Sequence, residues 1–184
     1  PLLHVGLPAF LAFLAHGSLG VKISTNCTLV TSELARSVSS VVRAGVQVSL
    51  DGSDADTNDS IRGKDAFASA MNGIGLLQEH GVPITIGTVV TKRNLSSALE
   101  MPEFAQSHGI RGVHYMRVVH KGNAAVNWDD LRLGNDDWVS FVRTVRTKSA
   151  VGVLLQIDGT YEYREDLEPM GKCMTGCEAG RYEF

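Results

Sequence analysis

The chain lacks most of the features that mark secreted, membrane-spanning and nucleic-acid-binding proteins. Its 184 residues include only 3 cysteines, too few for a disulfide-stabilised secreted domain, and any pairing leaves one thiol over. We therefore expect a reducing, cytoplasmic location. No apolar run reaches the length of a membrane-spanning helix. Residues 7–15 are apolar but short, and no basic segment precedes them, which favours a buried or amphipathic helix over a signal peptide.

Charge is modest and evenly spread along the chain. The net charge is -3 at pH 7, and no stripe of lysine and arginine is present that would bind nucleic acid or an anionic membrane. We expect neither as a partner. Apolar residues, by contrast, make up 43% of the chain, which is enough for one domain with a core and part of a second.

One pattern recurs four times: an apolar helical periodicity, then a glycine, then a short run rich in β-branched residues. The glycines are spaced by roughly 30 residues, the length of one βα unit, and glycine commonly follows a helix end. Repeated βα units predict a parallel sheet covered by helices, although periodicity alone does not separate a barrel from a doubly wound open sheet. The predicted strands are 21–24, 46–50, 84–90 and 113–118, with a further strand at 151–157.

The segments between the strands contain recognisable helix starts. Thr31 and Asp65 are predicted to cap the helices that follow them, and Asn135 or Asp136 to open a later one. The helix at 95–107 contains Pro102, which predicts either a kink or a later start.

Three of the six histidines fall in the last turn of a predicted helix: His16, His80 and His108. A histidine there makes a favourable contact with the negative end of the helix dipole. We therefore interpret these three as structural rather than catalytic residues.

Polar side chains gather where the predicted strands end. The run 46–50 delivers Ser49 and Asp51 to its carboxyl end, and Gly52 then lets the chain turn. In a parallel α/β sheet this edge is where ligands bind, although such residues are also ordinary in loops and caps. Arg62, placed in the predicted loop after Asp51, is either a clamp for a carboxylate or a solvated surface residue. The other strand ends offer Ser24, Thr25 and Asn26, then Thr88, Thr91 and Asn94, then Arg117, His120 and Lys121.

The cysteines near the end of the chain suggest a metal centre. Cys173 and Cys177 are spaced C-x3-C in a glycine-rich segment, which suits an iron–sulfur or zinc site, with a pair of free thiols as the alternative. Two cysteines cannot fill four coordination positions, so further ligands would come from elsewhere. Cys27 is interpreted as a small residue in a tight turn and not as a ligand.

Taken in order, these motifs resemble those of radical S-adenosylmethionine (SAM) enzymes. Cys177 opens a run that resembles the start of a SPASM extension, which carries auxiliary iron–sulfur clusters, and residues 1–4 resemble those just after the Gly-Gly-Glu of the family's Gly-Gly-Glu-Pro motif. The barrel motifs are Ser24-Thr25-Asn26, Val48-Ser49-Leu50-Asp51-Gly52, Ile61-Arg62-Gly63, Thr88 to Asn94 and Arg117-Val118-Val119.

The resemblance implies a fold, a cofactor set and site residues. It implies a partial (β/α)6 barrel over residues 1–150, with residues 151–184 forming a linker and the start of the auxiliary-cluster domain. SAM would be cleaved at a 4Fe-4S cluster, giving a radical that abstracts hydrogen from a substrate. By the resemblance, Ser49 contacts the amino-acid moiety of SAM, Arg62 binds its carboxylate, Met116 lies against the adenine, and Thr25 and Asn26 lie near SAM or substrate.

The resemblance also implies ligands of an iron–sulfur cluster, and the sequence departs from the family pattern at several places. It implies that Cys177 is the first ligand of an auxiliary 4Fe-4S cluster and that Cys173 is a further one. The C-x3-C-x2-C motif that binds the catalytic cluster is absent, as is the Gly-Gly-Glu, so we expect a fragment that is inactive alone. Cys27 stands where the family commonly has glycine, which leaves the geometry of that turn open.

These expectations support three functional hypotheses. The first is part of a radical SAM enzyme that matures a peptide or protein and receives electrons from a donor such as a flavodoxin or ferredoxin. The second is a related enzyme that modifies a tetrapyrrole or another small molecule. The third is a non-catalytic α/β barrel remnant that binds a ligand or partner. An aldolase-like barrel is disfavoured, because neither Lys92 nor Lys121 lies within a predicted strand.

Overall fold

The protein is a parallel α/β structure. The computed structural model describes residues 1–16, 20–41, 45–148 and 152–158. Its five strands are β1 (Ile23–Thr25), β2 (Val46–Ser49), β3 (Ile84–Val90), β4 (Gly112–Arg117) and β5 (Leu154–Ile157), in the spatial order β1-β2-β3-β4-β5 and all parallel. The predicted sheet of repeated βα units is confirmed.

Helices connect successive strands. They are α1 (Leu7–Ala15), α2 (Ser32–Ser39), α3 (Ala55–Arg62), α4 (Ala66–Glu79), α5 (Leu95–Ser107), α6 (Asn123–Val126), α7 (Trp128–Leu131) and α8 (Asn135–Thr147). Within the described ranges, no helix is both long and apolar enough to cross a membrane.

Strand register gives the sheet two different faces. On one face, aliphatic residues such as Val48, Ile86 and Val113 lie side by side across the strands and are buried in the core. The opposite face, here called the polar face, carries mainly polar side chains and glycine. Its members are Ser24, Gln47, Ser49, Thr85, Gly87, Val89, Gly112, His114, Met116, Leu154 and Gln156.

Helix α3 occupies a segment that the sequence predicted to be a loop, and this prediction is wrong. The side chain of Asp54 accepts a hydrogen bond from the Thr57 N–H at 2.7 Å, which caps the helix. Arg62 is the last residue of α3. The segment carries little apolar periodicity, so the cap and the contact with α4 supply what an apolar stripe would otherwise provide.

Helix α5 begins at Leu95 and continues through Pro102, so the predicted late start is wrong, while the predicted kink stays a prediction. Proline has no N–H group, so the carbonyl oxygen of Ala98, four residues earlier, loses its normal helical donor. The buried hydroxyl of Tyr115 on β4 donates to this oxygen at 2.9 Å. A side chain from the sheet thus satisfies the carbonyl that the proline leaves free.

The other predicted helix ends are mostly observed. Thr31 caps α2 by accepting from the Leu34 N–H at 3.2 Å. Asp65 precedes α4, but its backbone is left-handed and its side chain makes no capping hydrogen bond, so its predicted capping is wrong. His16, His80 and His108 directly follow α1, α4 and α5, at the helix ends where the sequence predicted them but one residue beyond the last turn.

The strand predicted at 151–157 is observed as β5, which pairs with β4. Cys173 and Cys177, and most of the predicted extension with them, lie outside the described residues. The division of the chain near residue 150 therefore stays a prediction.

Candidate functional site

A cavity of about 560 Å³ lies at the carboxyl ends of β1 and β2, with α3 and the start of α4 as its walls. Ligand pockets commonly have volumes of roughly 300–1,000 Å³. The residues that line it are Asn26, Thr28, Ser49, Asp51, Ile61, Arg62, Lys64, Asp65, Ala66 and Ser69. Most are polar, so the cavity suits a hydrogen-bonding, charged ligand.

An ion pair between Asp51 and Arg62 forms one wall of the cavity. Arg62 Nη2 lies 2.8 Å from Asp51 Oδ2, and the Asp51 side chain is only 6% exposed. The Val89 N–H donates to the other carboxylate oxygen at 2.8 Å. Burial raises the pKa of Asp51, while the Arg62 charge and the Val89 N–H oppose that rise.

The backbone around Asp51 is fixed by side chains from three other elements. Its N–H donates to Asn58 Oδ1 of α3 at 3.0 Å, and its carbonyl accepts from Asn94 Nδ2 at 2.8 Å. The Thr88 hydroxyl donates to the carbonyl of Leu50 at 2.8 Å. The sequence marked Thr88 and Asn94 as strand-end residues but missed Asn58, whose only signal is its position inside a capped helix.

Arg62 retains hydrogen-bonding capacity that the protein does not use. Its Nε atom is buried without an acceptor in the part of the chain that the structure describes. A buried, unpaired donor costs about 1–3 kcal/mol. A ligand oxygen in the cavity would remove this penalty, so the arginine is suited to hold a carboxylate.

The cavity carries charges of both signs. Arg62 neutralises the charge of Asp51 in their ion pair, while Lys64 and Asp65 are exposed and also line the cavity. This combination matches a zwitterion, with a carboxylate near the cations and an ammonium group near the remaining acid.

Comparison with known proteins identifies relatives in both sequence and structure. No protein-family model matches the chain. It is 35% identical over 114 residues to the mycofactocin maturase MftC of Mycolicibacterium smegmatis, which covers 61% of this chain and 29% of the relative. It is 33% identical over 129 residues to an AdoMet-dependent heme synthase of Nitratidesulfovibrio vulgaris, covering 68% of this chain and 34% of the relative.

The crystal structure of Streptococcus suis SuiB bound to S-adenosylmethionine superposes with a TM-score of 0.67 at 13% identity, over 85% of this chain and 36% of SuiB. The chain is a homologue of the radical SAM enzymes. Its parallel sheet matches the partial barrel of these proteins. The chain spans about a third of the curated relatives, 29% and 34% of the two above.

The structure brings together three of the five barrel residues that the radical SAM resemblance singled out. Asn26, Ser49 and Arg62 all line the cavity. Thr25 lies on the core face beside Val48, and its hydroxyl accepts from the Cys27 N–H at 3.1 Å.

Met116 does not line this cavity. It lies on the polar face of β4, where it pairs with Val89 of the neighbouring strand. The structure gives no direct support to the predicted adenine contact, which stays a prediction.

The turn that holds Cys27 has a backbone conformation that favours glycine, which is the residue that the radical SAM resemblance leads us to expect there. Cys27 has φ 64°, a left-handed conformation that costs a non-glycine residue about 1–2 kcal/mol. The side chain is buried against Gly73, where an added Cβ would lie 2.2 Å from the Cys27 carbonyl oxygen. Burial raises the pKa of Cys27 to about 12, which favours the protonated thiol. That Cys27 is not a metal ligand stays a prediction.

The described residues do not fit a four-iron cluster. Cys27 is the only cysteine among them, and they contain no group of three or more His, Cys, Asp or Glu residues able to hold a metal ion. This part of the chain therefore contains the polar cavity and no set of residues that would hold the cluster.

Proposed function

We propose that this chain is the SAM-binding part of a radical SAM enzyme that modifies a peptide or protein. The observation that carries the proposal is Arg62, held by Asp51 on the wall of a polar cavity, with its buried Nε lacking an acceptor among the described residues. Homology to a protein named as a maturase and to proteins named as AdoMet-dependent synthases supports it.

In this proposal each cavity residue binds one part of SAM. Arg62 donates to the carboxylate of the methionine moiety, Ser49 and Asn26 hydrogen-bond the same moiety, and Asp65 attracts its ammonium group. Thr25 does not contact SAM in this proposal; it lies on the core face and supports the turn at Cys27. When bound, SAM supplies the hydrogen-abstracting group of this enzyme class.

Other parts of the proposal concern residues beyond the cavity. Met116 would contact the adenine only if that ring extends along the polar face, across β3. Cys177 and Cys173 remain the proposed ligands of an auxiliary 4Fe-4S cluster in residues 151–184, beside a barrel portion at 1–150. The ligands of the catalytic cluster are not among the described residues, and no step is assigned to them. A flavodoxin or ferredoxin is the proposed electron donor.

A peptide substrate is preferred to a tetrapyrrole. The mycofactocin maturases support a peptide, as does the fold match to Streptococcus suis SuiB, whose structure bound to the precursor peptide SuiA is known. The second candidate function, tetrapyrrole modification, is supported by the heme synthases and an Fe-coproporphyrin III synthase of Methanosarcina barkeri that is 27% identical over 91% of this chain.

The first test measures SAM binding by calorimetry, using the complete protein that the gene encodes. Arg62→Gln removes the proposed carboxylate donor, and we expect an affinity loss of roughly tenfold to a hundredfold, the equivalent of one charge-assisted hydrogen bond. Arg36→Gln removes a cation from an exposed position in the last turn of α2, outside the cavity lining, and is the matched control. Equal effects of the two substitutions would contradict the role given to Arg62.

The second test identifies the hydrogen donor. The complete, anaerobically reconstituted protein is incubated with SAM, dithionite and peptide or tetrapyrrole fractions from source cells grown in heavy water. Deuterium in 5′-deoxyadenosine with the peptide fraction supports the proposal, and deuterium with the tetrapyrrole fraction alone supports the second candidate. Absence of 5′-deoxyadenosine with every fraction would refute both and favour a non-catalytic barrel remnant.

A further inference from the structure

Helix α3 packs against the end of β2 with almost no space between them. A Cβ atom at Gly52 would lie 2.6 Å from the backbone nitrogen of Asn58 and 2.9 Å from the Cβ of Thr57. Both distances are shorter than real contacts of a Cβ atom, so only glycine allows this approach. Because the helix lies directly on the turn after β2, its position decides where its side chains enter the cavity.

Asn58, in the middle of α3, makes the polar contact at this junction. The residue is 0% exposed, and its Oδ1 accepts from the Asp51 N–H at 3.0 Å. Asparagine is a poor helix former, and a buried amide is costly unless it is hydrogen-bonded. An aliphatic residue would serve helix packing better, so the amide indicates a role that packing does not supply.

The other end of the same amide holds a second wall of the cavity. Asn58 Nδ2 donates to Asp59 Oδ1 at 3.2 Å, and this oxygen also accepts from the Phe67 N–H in the first turn of α4 at 2.7 Å. Asp65 makes no capping hydrogen bond, so Asp59 satisfies an N–H group that would otherwise lack a partner at the start of α4. One amide thus connects the end of β2, helix α3 and the start of α4.

Asn58 and Arg62 lie on the same face of α3. They are four residues apart, which places their Cβ atoms roughly 5–6 Å from each other. The helix therefore holds Asp51 at two points, its N–H through Asn58 Oδ1 and its carboxylate through Arg62 Nη2. The amide sets the separation between the helix and the backbone of Asp51, and this separation sets the direction of the guanidinium group.

We propose that Asn58 is a positioning residue for SAM binding and that it acts through Arg62. The inference rests on the proposed function above, because it assumes that Arg62 holds the carboxylate of SAM. With the amide in place, the guanidinium group lies at a fixed position relative to Ser49 across the cavity. Without it, α3 and the start of α4 lose their fixed separation from β2, and Arg62 meets the carboxylate in poorer geometry.

The test is a double-mutant cycle on SAM affinity, measured by calorimetry with the complete protein. Its members are the wild type, Asn58→Ala, Arg62→Gln and the double variant. Because Asn58 acts through Arg62, its effect should not exceed that of Arg62, and we expect a loss of about tenfold for Asn58→Ala. In the Arg62→Gln background the same change should cost less than about twofold. A residue that only supports the fold would give the same loss in both backgrounds.

Stability is measured separately by urea unfolding, because Asn58→Ala leaves the buried Asp51 N–H without its acceptor. Tyr115→Phe is the matched control, since it also removes a buried hydrogen bond between a side chain and the backbone but lies outside the cavity lining. It should lower stability comparably and leave SAM affinity unchanged. Asn58→Ser leaves room for a water at the Asp51 N–H and is the milder variant if Asn58→Ala does not fold. We expect the same dependence on Arg62 from it.

Three outcomes would overturn the proposal. They are wild-type SAM affinity in the folded Asn58 variants, an equal loss of affinity with and without Arg62, and a loss in Tyr115→Phe as large as that in the Asn58 variants. If the wild type binds no SAM, or if Arg62→Gln binds it as tightly as the wild type, the proposed function has failed and not this assignment alone.

Discussion

Replacing Asp51 by asparagine separates two effects of this buried carboxylate: its effect on SAM affinity through Arg62 and its effect on the stability of the fold. The substitution keeps the side-chain shape and one oxygen for the Val89 N–H, but removes the charge that faces Arg62 at 2.8 Å. Without that charge, Arg62 loses its fixed orientation. Immobilising a free arginine side chain costs about 2 kcal/mol. Because packing already restrains a side chain that is 24% exposed, we assign about 1.4 kcal/mol to Asp51, which corresponds to a tenfold loss of SAM affinity.

The same substitution should not weaken the fold. Burial is the largest influence on Asp51 and raises its pKa above the ordinary 3.8, so the ionised form is less favourable in the folded than in the unfolded chain. The folded state therefore binds more protons in the window above pH 3.8, and stability falls as pH rises through that window. Asp51→Asn removes this dependence and should leave the unfolding midpoint at pH 7 equal to or above that of the wild type.

Calorimetry with SAM and urea unfolding as a function of pH, both on the complete protein, check these expectations. Asp56→Asn removes an equal charge from an exposed position in the first turn of α3 and should change neither quantity. Unchanged or tighter SAM binding by Asp51→Asn would refute the positioning argument, because Arg62 would then reach SAM better alone. A large loss of stability at pH 7 would refute the electrostatic argument.

Four further substitutions test the fold by urea unfolding. Tyr115→Phe should cost about 1–3 kcal/mol, because the Ala98 carbonyl, which has no helical donor opposite Pro102, also loses its hydrogen bond from the hydroxyl. An unchanged unfolding midpoint would show that water replaces the hydroxyl. Gly73→Ala should cost about 3 kcal/mol or more, since the new methyl group would meet backbone at 2.2 Å. Gly75 lies in the same helix with open space around it, so Gly75→Ala should stabilise the fold by about 0.5–1 kcal/mol. If Gly73→Ala and Gly75→Ala changed the unfolding free energy equally, the close contact between Gly73 and the Cys27 turn would be refuted. Asp54→Ala should cost about 1 kcal/mol through the lost cap of α3. The Thr57 N–H lowers the pKa of Asp54, so this difference should be complete above pH 3.8 and shrink as pH falls below it; a constant difference would count against the cap.

Local patterns in the sequence predicted the order of the elements. Apolar runs of period 2 and helical stripes are set by neighbouring residues, and a glycine after a helix acts through its own backbone. Ser49 and Asp51 could be placed at the cavity edge for the same reason, since the carboxyl ends of parallel strands share one edge of the sheet.

Helix α3 was not predicted from the sequence because its stability does not come from an apolar stripe. Only Ile61 in this segment is a large aliphatic residue, and the helix depends on its cap and on packing against α4. Arg62 was identified from a motif, but the sequence could not reveal that its partner is Asp51, which lies across a turn and a whole helix.

The sequence by itself determined a parallel α/β chain with polar strand ends, because alternation, capping and turn chemistry act over a few residues. Only the tertiary structure decided which of those polar groups meet. The pairing of His114 with Asp158, and the reach of Gln47 across Gly87, depend on the register of four strands that are far apart in the chain. Register is fixed by packing over the whole sheet, and a shift of one residue would turn each of these side chains to the other face.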